Sequence, residues 1–171
     1  MPTPSSPILR LPRACRWLAA LILLAFAPLS PAATCTVTGG QIPFGLYNGF
    51  HDSSTTVISQ LSVQCQSPTV LEALLGITLK VSLSGGLSAS PLDRTLAMGG
   101  DRLHYNVYLQ PNLTQILGDG TDGTVAPTSC FFSVLCGGQT SYTVTIYGAM
   151  PPHQDVSPGA YVDELTLTLA F

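Results

Sequence analysis

Three histidines, His51, His104 and His153, and nine scattered acidic residues are the raw material for acid–base chemistry in this 171-residue chain. A hydrolase needs a nucleophile, a base and a group that orients the base. The nearest approach to a nucleophile elbow is "GLSAS" around Ser88, which lacks the closing glycine and follows no strand-to-helix turn. His104 falls on the outward face of a strand-like stretch and His51 and His153 fall among turn residues, so all three read as solvated polar groups. No catalytic residue is assigned. "GDGTDG" (118–123) invites calcium, but Asp119, Thr121 and Gly123 do not reproduce the alternating acids and terminal glutamate of an EF-hand loop. A Gly/Asp turn is the simpler account, and "NLT" at Asn112 is a glycosylation sequon only in a host that glycosylates.

The cysteines are more informative. Arg10, Arg13 and Arg16 precede "WLAALILLAFAPLS", an apolar run too short to cross a bilayer comfortably, and Ser30 and Ala32 suit a cleavage after Ala32. Residues 1–32 therefore read as a secretory signal peptide, with 33–171 as one exported domain and no later membrane span. Cys15 leaves with the signal, and Cys35, Cys65, Cys130 and Cys136 remain, an even set in an oxidising compartment. Three pairings are possible, and Cys35 with Cys65 and Cys130 with Cys136 is the favoured one. In the chain-entropy model the first contributes roughly 3 to 4 kcal/mol and the second ~2. Zinc is the competing use, but the spacings are not paired CxxC, so no metal or cofactor is expected. "FFSVL" inside the second ring is unusually apolar, and Phe131 and Phe132 are candidate surface-contact residues if the ring turns them outward.

After cleavage three basic side chains, Lys80, Arg94 and Arg102, stand against nine acidic ones, a formal net charge of −6. Nucleic acid is a poor partner for such a surface.

Short alternating stretches dominate what is left. "VISQLSVQCQ" sets Val57, Ser59, Leu61, Val63 and Cys65 on one face; "ITLKVSLSGG" sets Ile77, Leu79, Val81 and Leu83; "LHYNVYLQ" sets Leu103, Tyr105, Val107 and Leu109; "YTVTIYG" sets Tyr142, Val144 and Ile146. "LEALLG" (71–76) reads as a single helical turn. "SASPLDRTLAMGGD", "ILGDGTDGTVAPTS" and "AMPPHQDVSPG" read as loops. The chain closes on "GAYVDELTLTLAF", with Leu165, Leu167, Leu169 and Phe171 on one face of a half-buried strand. The fold class is all-β, a single antiparallel sandwich.

The ordered pieces "CTV" at Cys35, "FGLY" from Phe44, "VQC" ending at Cys65, "SGG" at Ser84, "DRTLAMGGDRLHYNVYLQ" from Asp93, "LGDGTDGT" from Leu117, "VTIYGAMP" from Val144 and the closing "GAYVDELTLTLAF" resemble the spore coat protein U domain family. That family includes pilins of the archaic chaperone/usher pathway. The resemblance implies an incomplete immunoglobulin-like sandwich whose groove, bordered by Leu165, Leu167, Leu169 and Phe171, accepts a strand from outside. The partners implied are a periplasmic chaperone, whose basic cleft would meet the Phe171 carboxylate, an outer-membrane usher, and a neighbouring pilin subunit as strand donor. About four large apolar side chains at ~1.5 to 3 kcal/mol each would rival the ~5 to 15 kcal/mol stability of a whole domain. One departure stands out: only Ala33 and Thr34 lie between the expected cleavage and Cys35, where polymerising members carry a donor segment. The expectation is a non-enzymatic, acceptor-only, tip-like subunit of a surface fibre, or else a coat-associated or free extracellular protein of the same fold.

Overall fold

The structure is a computed structural model that describes residues 33–50, 52–66 and 69–171. The signal-peptide reading of 1–32 and the placement of His51 lie outside the described residues. Among the described residues, ten strands and one short α-helix follow in chain order: β1 (Thr34–Gly39), β2 (Leu46–Tyr47), β3 (Thr55–Gln66), α1 (Val70–Leu75), β4 (Ile77–Leu83), β5 (Arg94–Met98), β6 (Asp101–Tyr108), β7 (Thr128–Phe131), β8 (Ser141–Met150), β9 (Gly159–Ala160) and β10 (Leu167–Ala170). The larger sheet runs β1-β3-β8-β6-β5, the smaller β10-β4-β7, and β2 pairs with β9. All pairings between these strands are antiparallel.

Period-two alternation builds the two layers. Leu61, Val63 and Cys65 on β3, Leu103, Tyr105 and Val107 on β6, and Val144 and Ile146 on β8 turn inward from the larger sheet. Leu79, Val81 and Leu83 on β4 and Phe131 on β7 face them from the smaller sheet, and all belong to one buried cluster. The outward residues of β3 are polar apart from Ile58, which is two-thirds exposed. This is the immunoglobulin-like, nearly all-β sandwich that the alternation and the resemblance imply.

All three stretches read as loops overlap strands, and the third, 149–159, only at its two ends, where β8 finishes at Met150 and β9 begins at Gly159. Residues 94–98 form β5, a hairpin partner of β6 with Arg94 opposite Tyr105 and Met98 opposite Asp101. Alternation is hidden there because the core-facing position is an arginine. Fully buried, its guanidinium donates to Asn106 Oδ1 at 2.6 Å and to the carbonyls of Leu83, Ser84, Pro91 and Leu117. Burial pulls its pKa below the usual arginine value, opposed by electrostatic coupling to the nearby Tyr105 phenol and Asp163 carboxylate. Likewise the stretch 116–129 carries the start of β7 and a bridge between Leu117 and Val125, so it is not all loop.

Candidate functional site: an apolar trough beside an open strand edge

Among the described strands, β10 is hydrogen-bonded to β4 alone, with Leu167 opposite Leu83 and Leu169 opposite Val81, and β1 is bonded to β3 alone. These two edge strands border a trough of about 320 Å³. Its sides are Val37 and Ile42 on one bank and Leu165 and Leu167 on the other, and Leu61 and Ile146 lie at its floor. A second hollow of about 280 Å³ shares Gly40, Ile42 and Leu165 with the first and continues toward Phe44, Leu96, Tyr105 and Asp163. The free edge of β10 thus offers backbone donors and acceptors beside an aliphatic slot, the arrangement that an added strand requires.

The far end of this trough is polar and fixed. Tyr105 donates its hydroxyl to Asp163 Oδ2 at 2.7 Å, and the Leu87 amide donates to Oδ1 at 2.9 Å. Burial, reinforced by the bond to Asp163, holds the Tyr105 phenol well above its ordinary pKa. Asp163 begins the crossing from the larger sheet, where Val162 bridges Ala97, to the smaller one, where β10 starts. Sequence spacing assigns Asp163 no role, because its partners are contributed by residues 58 and 76 positions away.

Leu165, Leu167 and Leu169 are half-buried and pack against the core. Phe171 departs from the alternation: β10 ends at Ala170, and Phe171 is 64% exposed. Both favoured disulfides are present. Cys35 and Cys65 are directly opposite in the β1–β3 ladder, with Cα atoms 4.0 Å apart, and Cys130 bonds Cys136. The surface contact considered for Phe131 and Phe132, should the ring turn them outward, is corrected by the packing. Phe131 is fully buried because it occupies an inward position of β7 opposite Ile77, and Phe132 is half-buried against the same core. The ring instead exposes Val134 and Leu135, at 90% and 94%.

The polar residues considered for chemistry are dispersed. His104 Nδ1 lies 2.7 Å from Asp93 Oδ1 and His153 Nε2 lies 3.1 Å from Asp52 Oδ1, both on the exposed surface. Ser88 Oγ bonds the Gly85 and Ser90 carbonyls within a turn, and neither pair reaches it through any described bond. Asp119 Oδ1 accepts from the Thr121 amide and from the hydroxyls of Thr121 and Thr124, a turn rather than a cation cage. Those bonds, above all from Thr121, hold its carboxyl below the ordinary range. Among the described residues no cluster of three His, Cys, Asp or Glu side chains is placed to hold a metal. None of their helices is long and apolar enough to cross a membrane.

An immunoglobulin-like sandwich with an apolar trough between two edge strands is a pilin-type β-sandwich. The chain belongs to the Spore Coat Protein U domain family, whose model matches residues 21–168. No curated protein matches it. Among solved structures, it is similar to a chain in the crystal structure of the CsuC-CsuE chaperone-tip adhesion subunit pre-assembly complex from archaic chaperone-usher Csu pili of Acinetobacter baumannii. The TM-score is 0.54 at 17% identity, over 81% of this chain and 40% of that one. The likeness is one of fold, and this chain spans less than half the length of that solved chain.

Proposed function

We propose that this protein is a structural or adhesive subunit of a chaperone/usher-assembled surface fibre, exported to the periplasm and completed there by a strand from another molecule. The open edge of β10 beside the Val37–Leu167 trough carries this reading. A donated strand would pair with that edge and place alternate side chains in the slot, first from a periplasmic chaperone and then, after transfer at an outer-membrane usher, from a neighbouring subunit. Leu165, Leu167 and Leu169 form the acceptor bank, with Phe171 at its exposed end. Family membership and the fold of a subunit–chaperone complex support the same reading. The role is non-enzymatic.

An acceptor-only, tip-like place is the finer part of the proposal. It rests on the expected cleavage after Ala32, since β1 begins at Thr34 and Cys35 is already tied to Cys65. Mass spectrometry of the exported protein would settle the cleavage, and a retained apolar segment ahead of Cys35 would remove the tip assignment.

Co-expression with candidate periplasmic chaperones tests the central reading. Recovery of soluble protein only as a chaperone complex is expected. A stable monomer that never binds a chaperone would favour the coat-associated or free extracellular alternative.

A further inference from the structure

The β6–β8 ladder floors a separate hollow of about 230 Å³. At its base Asn106 and Ala149 are directly opposite each other, and both are buried. The polar atoms of this floor are spent inside the protein: Asn106 Oδ1 accepts from Arg94 and from the Val107 amide, and Nδ2 donates to the Leu92 carbonyl at 2.8 Å. Past Met150, where β8 ends, the Gln154 side chain stands in for a strand beside His104. It accepts from the His104 amide at 2.6 Å and donates to the His104 and Pro151 carbonyls at 2.9 and 3.1 Å. Floor and walls are thus fixed in advance, which lowers the cost of ordering on binding.

The walls divide by chemistry. Leu92, Leu113 and Pro151 supply aliphatic surface, and Tyr108 supplies a ring with a polar tip. On the rim, the Ser54 and Tyr108 hydroxyls, Asp93 Oδ2 and His104 Nε2 take part in no hydrogen bond among the described residues. A carboxylate only accepts, so the 2.7 Å contact between His104 Nδ1 and Asp93 Oδ1 puts the ring proton on Nδ1 and leaves Nε2 of the neutral imidazole an acceptor. Two acceptors therefore accompany two hydroxyls that both give and take. Leu113 reaches the hollow with φ at 56°, a left-handed conformation uncommon for so bulky a side chain. Strain of that kind gathers where ligands are held.

We propose that this hollow binds a neutral sugar residue, Asp93 and His104 accepting from its hydroxyls while Tyr108 and Leu113 cover its C–H face. The acid on the rim, with no lysine or arginine among the described lining residues, disfavours phosphate, sulfate and acidic sugars. An ammonium group would satisfy the two acceptors but not the two hydroxyls, whereas a polyol answers all four. The volume lies below the ~300 to 1,000 Å³ of drug-sized sites, which suits a single ring. Tyr147 opposite Tyr108, and exposed Ile58 opposite Tyr147, continue the row across the sheet and give a longer glycan surface to follow. The hollow shares no residue with the Val37–Leu167 trough, so sugar binding does not depend on strand uptake.

Saturation-transfer difference NMR tests this on the exported protein, alone or with the chaperone that keeps it soluble. The probes are the methyl glycosides of glucose, galactose, mannose and N-acetylglucosamine. Binding of at least one in the millimolar range is expected. Asp93→Ala and Leu113→Gly should each weaken it at least tenfold with unchanged circular dichroism, since Asp93 is mostly exposed and glycine accepts the Leu113 backbone. Val37→Glu should leave it unchanged, so a chain that fails to capture a chaperone yet binds the glycoside refutes the fibre reading and supports this one. No transfer to any of these glycosides overturns the proposal. So does binding that survives Asp93→Ala and His104→Ala together, or transfer to tetramethylammonium in place of the glycosides, which would make the hollow a cation site.

Discussion

Tyr105 on β6 and Asp163 on the crossing to β10 meet hydroxyl to carboxylate at 2.7 Å, and this bond closes one end of the trough. The same carboxylate accepts from the Leu87 and Glu164 amides at 2.9 and 2.8 Å. Asp163→Ala leaves a buried phenol without its acceptor and releases the crossing, so a loss of roughly 2 kcal/mol is expected in urea unfolding. Asp163→Asn keeps an acceptor oxygen, and its loss should be smaller. Equal losses would show that the charge, rather than the bond, holds the segment.

Arg94 is the larger structural commitment. Arg94→Met removes the donor to Asn106 and to the carbonyls of Leu83, Ser84, Pro91 and Leu117, and should cost about 3 kcal/mol or more. Arg94→Lys keeps the charge but has too few donors in the wrong geometry, so it should recover only part of that loss. Thermal unfolding of both variants checks the order.

Strand uptake is tested most cleanly on the bank that is already partly exposed. Val37 is 39% exposed, so Val37→Glu leaves folding little changed while setting a charge in the slot. Displacing one apolar contact worth ~1.5 to 3 kcal/mol should weaken chaperone capture at least tenfold. Quantitative co-purification reads this directly, and undiminished capture would place the acceptor surface elsewhere.

Acid stability should carry a signature of Asp101. Its carboxylate accepts from the Ser157 amide at 3.0 Å and from the Tyr161 hydroxyl at 3.3 Å, and the bond from Ser157 above all holds its carboxyl below the ordinary range. A carboxylate with a lowered folded-state pKa contributes stability that is fully present above the unfolded value of about 4 and is lost as the pH falls through the folded one. Asp101→Asn should therefore flatten the fall in stability below about pH 4 and change its shape little at neutrality. Unfolding midpoints measured across that range decide it.

Much of this molecule was legible without coordinates because strand alternation is a local property. Leu61, Val63 and Cys65, or Leu79, Val81 and Leu83, declare an inward face within a few residues. β5 was not legible, because its buried arginine is satisfied largely by carbonyls from positions 83, 84 and 117, 10 to 23 residues away. The direction of Phe131 is open in the sequence for a related reason. Its ring could turn outward or inward until pairing with Ile77 placed it inside.

By itself the sequence determined the sandwich class and the inward faces of its main strands, since residue type and a two-residue period act at short range. Which strand lies at an edge, what lies beside it, and that Val134 and Leu135 rather than the phenylalanines stand in water were decided only by tertiary structure. Edges, troughs and exposed ends arise from pairings between residues far apart in the chain, and a local pattern does not encode its neighbours.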